Sequence, residues 1–288
     1  MKEAEYYHPL SDGRMACDLC PHHCTIAEGH AGICRSRINH DGKLWATSYG
    51  RPCALAIDPI EKKPIARWHS GTECLSIACT GCNFRCLNCQ NHTISQVAPD
   101  EVRTEQLSPH DIIRLAMRHG QDQIAYTYTE PLTWFEYLRD TARLAHEAGF
   151  SNILVSAGYI ESQPLEELLP LIDAANIDLK SFSDSLYKQV NGGHLSPVLH
   201  TLQRMKEAGV WLEITLLVIP GVNDDRQMCR EMCRWLADNG FSRTPLHLTR
   251  FFPQYKMKDL PPTPITTLKA LKGIAEEEGI ETVLLGNV

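Results

Sequence analysis

The chain predicts an α/β protein: a partial (β/α)6 barrel preceded by a small cysteine-rich segment. Three observations carry this expectation. From residue 71 onward, short apolar runs alternate with amphipathic helical runs, the pattern of a parallel sheet built with right-handed crossovers. The main strands number six, too few to close an eightfold barrel. Ten of the twelve cysteines fall before residue 90, which points to metal sites rather than thiols scattered over a surface. Residues 1–70 are read as a metal-binding segment and residues 71–288 as the barrel.

The first segment contains Cys17-Asp18-Leu19-Cys20-Pro21-His22-His23-Cys24, then Gly29, Gly32 and Cys34, a C-x2-C-x3-C-x9-C spacing. Pro21 and the glycines supply the tight turns that a metal knuckle needs. Cys17, Cys20, Cys24 and Cys34 suit zinc or an iron–sulfur cluster, and the spacing does not choose between them. His22 and His23 are alternative ligands. Residues 39–43 read as a hairpin turn between strands at 36–38 and 44–48. Cys53 and Cys74 read as small buried hydrophobes.

The barrel pattern begins with a strand at 75–78, which feeds a cysteine loop. A helix at 109–119 follows, then a strand at 124–129. The next helix, 131–149, opens on Pro131 and closes on Gly149, each at its preferred end. A strand at 152–156, a helix at 165–175 and a strand at 177–181 come next. The remaining elements are a helix at 200–208, a strand at 211–219 ended by Pro220-Gly221, a helix at 225–239, a strand at 246–251, a helix at 265–278 and a last strand at 282–285.

Composition excludes several classes. The net charge of −7 leaves no global basic footprint, so no nucleic-acid partner is expected. No apolar run is long enough to span a bilayer, so no membrane partner is expected either. Twelve cysteines with no secretory leader argue against a disulfide framework and for a reducing cytoplasm.

Chemistry concentrates in Cys82-Asn83-Phe84-Arg85-Cys86-Leu87-Asn88-Cys89. A closed 4Fe–4S cluster takes four cysteines, whereas three leave one iron open to substrate. Cys79 is the obvious fourth candidate, and zinc is the competing metal. In barrels of this kind chemistry sits at the carboxyl ends of strands. Glu130 lies at one such exit and Ser156 at the next. Asp178 and Lys180 share a face of their strand and should point inward. Glu213, Thr215, His247 and Thr249 are further pocket candidates, with His247 more readily a satisfied core histidine than a catalyst.

The C-x3-C-x2-C loop closely resembles that of radical S-adenosylmethionine (SAM) enzymes. The resemblance makes Cys82, Cys86 and Cys89 the catalytic cluster ligands, Cys79 the spare residue, and the open iron the anchor for the methionine part of SAM. In such enzymes a Gly-Gly-Glu motif accepts the methionine amino group. Here Glu130-Pro131 is kept, and Tyr128-Thr129 replace the glycines. Asp178-Leu179-Lys180 resembles a SAM-contacting run of pyruvate formate-lyase activating enzyme. Ser156 is expected to join Glu130, Asp178 and Lys180 in cofactor binding.

Over nearly the whole length, the chain is similar to the radical SAM member of the AmmeMemoRadiSam system. The matching runs are Cys17 to Cys34, Asp58 to Pro64, Cys82 to Asn91, Asp178 to Lys180, Arg250 to Pro253 and Gly286 to Val288. The resemblance implies a 4Fe–4S cluster, SAM, and a second iron–sulfur cluster or zinc at the first four cysteines. It also implies an electron donor such as flavodoxin or ferredoxin. Reductive cleavage of SAM would give a 5′-deoxyadenosyl radical that takes hydrogen from a protein, peptide or small molecule. Activation of a glycyl radical enzyme is one alternative, and a non-catalytic iron–sulfur or zinc sensor is another.

Overall fold

A computed structural model describes residues 1–288. An eight-stranded sheet dominates it: β1 (Pro52–Pro59), β2 (Glu73–Cys79), β3 (Gln123–Tyr126), β4 (Ser151–Ser156), β5 (Ala174–Asp178), β6 (Trp211–Val218), β7 (Leu246–Arg250) and β8 (Val283–Gly286). Their spatial order follows the chain, and β1 and β8 form the two open edges. β2 to β8 are parallel, and β1 alone runs antiparallel, to β2. Six helices make the crossovers: α1 (Pro109–Arg118), α2 (Phe135–Glu147), α3 (Ser162–Leu168), α4 (Leu195–Glu207), α5 (Arg226–Asp238) and α6 (Ile265–Glu277). The architecture is the expected partial barrel, with seven parallel strands rather than six and an extra antiparallel edge.

Local signals explain the helix starts. Ser108 and Asp111 form a capping box around Pro109 at the head of α1. Asp225 caps α5 by accepting from Met228 N at 2.8 Å. The helices lay apolar faces on the sheet, where Cys229 and Cys233 of α5 are buried as core residues.

Several boundaries differ from the sequence reading, four of them with a clear local cause. β1 was not expected, because its residues continue the loop-rich first segment, yet it pairs along its length with β2. The strand expected at 124–129 stops at Tyr126, because Tyr128 turns into the left-handed region (φ 65°). The helix expected to reach residue 175 yields earlier: Ala174 and Ala175 join β5 beside Ile153 and Leu154. α4 begins at Leu195 rather than 200, since Pro197 fits its first turn.

The loop from Ile60 to Thr72 closes the barrel floor. Ile60 and Ile65 pack against Cys74, Ala125, Ile153 and Ala174 near the strand beginnings. Asn176 Nδ2 donates to the Pro64 carbonyl at 2.7 Å, and Ala66 and Arg67 amides donate to Glu213 at 2.8–3.0 Å. The loop thus covers the strand beginnings.

The first fifty residues form two small three-stranded sheets. The predicted hairpin is present as strands Arg37–His40 and Lys43–Ala46, turned by Asp41 and Gly42, both at positive φ. This segment is fixed to α2 by Arg37, whose guanidinium pairs with Glu136 at 2.5 Å, both side chains almost wholly buried. Removing one member would strand the other, a loss of about 3–5 kcal/mol.

Candidate active site

One cavity of about 760 Å³ opens at the carboxyl ends of the parallel strands. Cys82, Cys86, Cys89, Glu130, Ser156, Asp178 and Lys180 all line it. Seven residues spread over a hundred positions of sequence thus meet at one surface. Cys79 does not. It is the last residue of β2, fully buried in the core, and lines no part of the cavity.

The cysteine loop follows β2 and docks on a π-helical turn, Tyr187–Asn191. Arg85 N donates to the Asn191 carbonyl at 2.8 Å and Leu87 N to the Val190 carbonyl at 3.0 Å. Gly193 lets Phe84 approach, since a Cβ there would lie 2.3 Å from the Phe84 ring. Each loop sulfur has one hydrogen-bond partner. Phe84 N donates to Cys82 Sγ at 3.3 Å, and Asn191 Nδ2 donates to Cys86 Sγ at 3.1 Å. Cys89 Sγ and the Ser95 hydroxyl lie 3.2 Å apart. Burial pushes the Cys82 and Cys86 thiols up, so a bound cation is what would favour their thiolates here. Three soft donors, each with an outer hydrogen bond, fit a cluster that leaves one iron open.

Glu130 is buried at the β3 exit. Its Oε1 accepts from the Ser156 hydroxyl at 2.6 Å and from Leu132 N at 3.2 Å, while Oε2 accepts from Ala157 N at 2.8 Å. Burial raises its pKa above the ordinary carboxylate value, against the pull of those three donors. It therefore caps the turn at Pro131 and also lines the cavity. Asp178 and Lys180 pair at 2.7 Å. Both line the cavity as expected, but they do not share a strand: β5 ends at Asp178, and Lys180 lies two residues beyond it. Burial pulls the Lys180 ammonium down, but Asp178 and Cys86 outweigh it and hold it above its usual range.

Alternation along β5 to β7 places a polar column inside the barrel. Asp178, Thr215 and His247 are register partners, one row above Asn176 and Glu213. His247 Nε2 donates to Glu213 Oε2 at 2.6 Å. Burial would raise the Glu213 carboxyl, but His247 and the Ala66 and Arg67 amides hold it below its usual value. His247 is thus paired as a core histidine would be, yet it also lines the cavity.

Two further groups were not legible as site residues. Asn191 carries no motif. Tyr128 hydroxyl reaches the Asp58 carboxylate, which also accepts from the buried Lys63 at 2.7 Å. The run Asp58 to Pro64 was the only signal for that cluster. Asn88 lines the cavity, and His92 stacks on Tyr255 at 4.3 Å, which brings residues 254–256 over the loop.

The model of the radical SAM superfamily matches residues 76–236, more than half of the chain. The chain belongs to the radical SAM superfamily. That membership implies a 4Fe–4S cluster and SAM. A protein of Methanocaldococcus jannaschii described as uncharacterized is 45% identical over 288 residues, covering all of this chain and 86% of that one. The pyruvate formate-lyase-activating enzyme of Clostridium pasteurianum is 25% identical over 154 residues, 53% of this chain and 64% of the enzyme. Among solved structures, a domain of a pyruvate-formate lyase-activating enzyme from Bacteroides vulgatus shares the fold. Its TM-score is 0.50 at 19% identity, over 57% of this chain and 98% of that one. No helix of this radical SAM protein is long and apolar enough to cross a membrane.

Proposed function

We propose that the chain is the radical SAM enzyme of an AmmeMemoRadiSam system, acting on a protein, peptide or small molecule in the cytoplasm. Cys82, Cys86 and Cys89 hold the catalytic 4Fe–4S cluster. Glu130, Ser156, Asp178 and Lys180 bind SAM. The observation that carries this reading is the convergence of all seven on one cavity. In the same proposal, residues 1–70 serve a second metal and residues 71–288 the radical chemistry.

Bound there, the cluster and SAM supply one-electron cleavage to methionine and a hydrogen-abstracting 5′-deoxyadenosyl radical. The protein's part is positioning. Glu130 would accept the methionine ammonium, with Ser156 and the Ala157 amide fixing its carboxylate. Lys180 and Asp178, linked to each other, would hold polar groups of the cofactor. A protein of the flavodoxin or ferredoxin class delivers the electron.

A second reading, activation of a glycyl radical enzyme, is favoured by the similarity to pyruvate formate-lyase-activating enzyme. Anaerobic incubation with SAM and candidate protein partners separates the two. A glycyl radical signal on a partner supports activation. A mass change on a peptide or metabolite, with no such signal, supports the first reading.

A further inference from the structure

The radical loop is bordered by stretches that contain no acidic residue. Although 35 of the 288 residues are Asp or Glu, none falls in 74–99, 185–206 or 239–258. Folding brings these three stretches together around the loop. The first contains it. The second supplies the turn on which it docks, through the Val190 and Asn191 carbonyls. The third crosses its outer edge: Lys256 N donates to the Leu87 carbonyl at 3.0 Å, and Gln254 Nε2 to the Gln90 carbonyl at 3.2 Å. A chain of net charge −7 thus keeps acids off the rim of its thiol site.

Free cations stand on that rim. Arg85, between Cys82 and Cys86, is exposed, and its stem lies so close over Gly192 that a Cβ there would come within 2.7 Å of it. Lys256 and Lys258 are exposed as well. Lys256 Nζ sits 5.3 Å from the centre of the Tyr255 ring, which itself stacks on His92. None of the three pairs with a carboxylate. Asp184, which precedes the docking turn, is already matched by Lys188 at 2.9 Å and His194 at 3.3 Å. Glu130 and Asp178 belong to the cavity, not the rim.

We infer, on the radical SAM reading of the site, that this rim is the docking face for an acidic one-electron carrier protein. Position favours a carrier over a substrate. None of the three cations lines the cavity, where a substrate must meet SAM, whereas Arg85 directly precedes Cys86. A carrier held at Arg85 lies across the loop backbone from the cluster thiols. The Asn83 side of the loop is already covered. His22 Nε2 donates to the Asn83 carbonyl at 2.7 Å, and Cys17, Cys20, Cys24 and Cys34 line a separate small cavity that Asn83 also borders. The overall negative charge does not forbid the encounter. Screening limits each exposed charge to a reach of about 8 Å at physiological salt, so the local rim steers the partner.

The test assays SAM cleavage by the anaerobically reconstituted chain with a reduced acidic two-cluster ferredoxin and, separately, with saturating dithionite. With ferredoxin, Arg85→Glu/Lys256→Glu should lower the second-order rate about 10-fold or more at low salt, and Arg85→Gln/Lys256→Gln by less. The wild-type rate should fall as salt rises from about 20 to about 300 mM. Arg118→Glu/Arg143→Glu changes net charge equally near the ends of α1 and α2, beside the strand beginnings, and should leave the rate unchanged. All forms should cleave SAM alike with dithionite. Calorimetric binding of oxidised ferredoxin at low salt should weaken in the same order as the rates. Equal ferredoxin rates and affinities in Arg85→Glu/Lys256→Glu and wild type would overturn the inference. So would wild type that is active with dithionite and inert with ferredoxin, or that binds a mixed-sequence RNA through these residues and no ferredoxin. Failure of the radical reading looks different: no cleavage with either reductant, while calorimetry still decides on the face.

Discussion

Replacing Glu130 by Gln tests the pocket where fold and chemistry share one carboxylate. Three donors converge on it: the Ser156 hydroxyl and two backbone amides, at 2.6–3.2 Å. A Gln carboxamide offers one oxygen in place of two. In either orientation its NH2 faces a backbone N–H, that of Ala157 or that of Leu132. One buried donor is left unmatched, a cost of about 1–3 kcal/mol to stability. On the proposed role, loss of the charge that would meet the methionine ammonium should weaken SAM binding by a further ~1.5–3 kcal/mol, or ~10- to 100-fold. Urea denaturation reads the first effect, and anaerobic SAM titration of the reconstituted protein reads the second. The pH dependence has a fixed sign. Burial raises the Glu130 pKa, and the ionised form is the one that binds an ammonium. Wild-type SAM affinity should therefore fall as pH drops through that raised value, at higher pH than an ordinary glutamate would give, and Glu130→Gln should flatten this limb. Equal SAM affinity in variant and wild type, with the same acid limb, would refute the assignment.

Lys180→Ala and Asp178→Ala should each keep the cluster and weaken SAM binding by ~10- to 100-fold in the same titration, since each removes one charge-assisted contact. Asn191→Ala removes the donor to Cys86 Sγ. It should leave iron content unchanged and lower the reduction potential of the radical cluster, measured by EPR-monitored redox titration. Cys79→Ala should retain iron and SAM cleavage, with a stability loss of about 1 kcal/mol from the small core cavity, read by denaturation. Gly81→Ala places a Cβ 2.1 Å from Ser36 Oγ at φ 96°. It should destabilise the fold by about 2–4 kcal/mol and disturb both thiol sites together, seen as lower iron retention.

Much of this site was legible because period and spacing are local. The thiol loop is eight residues long, and the inward faces of β5 to β7 follow from simple alternation. What the sequence concealed depends on partners distant in the chain. Asn191 matters only because the loop docks on its turn. β1 looks like loop in sequence, since its strand character comes from pairing with β2 rather than from its own composition. Tyr128 reads as a continuing strand residue, but the left-handed backbone at this exit is set by tertiary contacts. Asn91 Nδ2 donates to its carbonyl at 2.6 Å, and its hydroxyl reaches Asp58. The shift of β5 by three residues arose because Ala174 and Ala175 suit either helix or strand, and only the register with β4 decides.

The most direct measurement is 5′-deoxyadenosine formation from SAM by the anaerobically reconstituted chain under a strong one-electron reductant such as dithionite. The account predicts formation by wild type and by Cys79→Ala, and none by Cys82→Ala, Cys86→Ala or Cys89→Ala. A folded, iron-loaded wild-type protein that forms no 5′-deoxyadenosine, or an active Cys86→Ala variant, would contradict it.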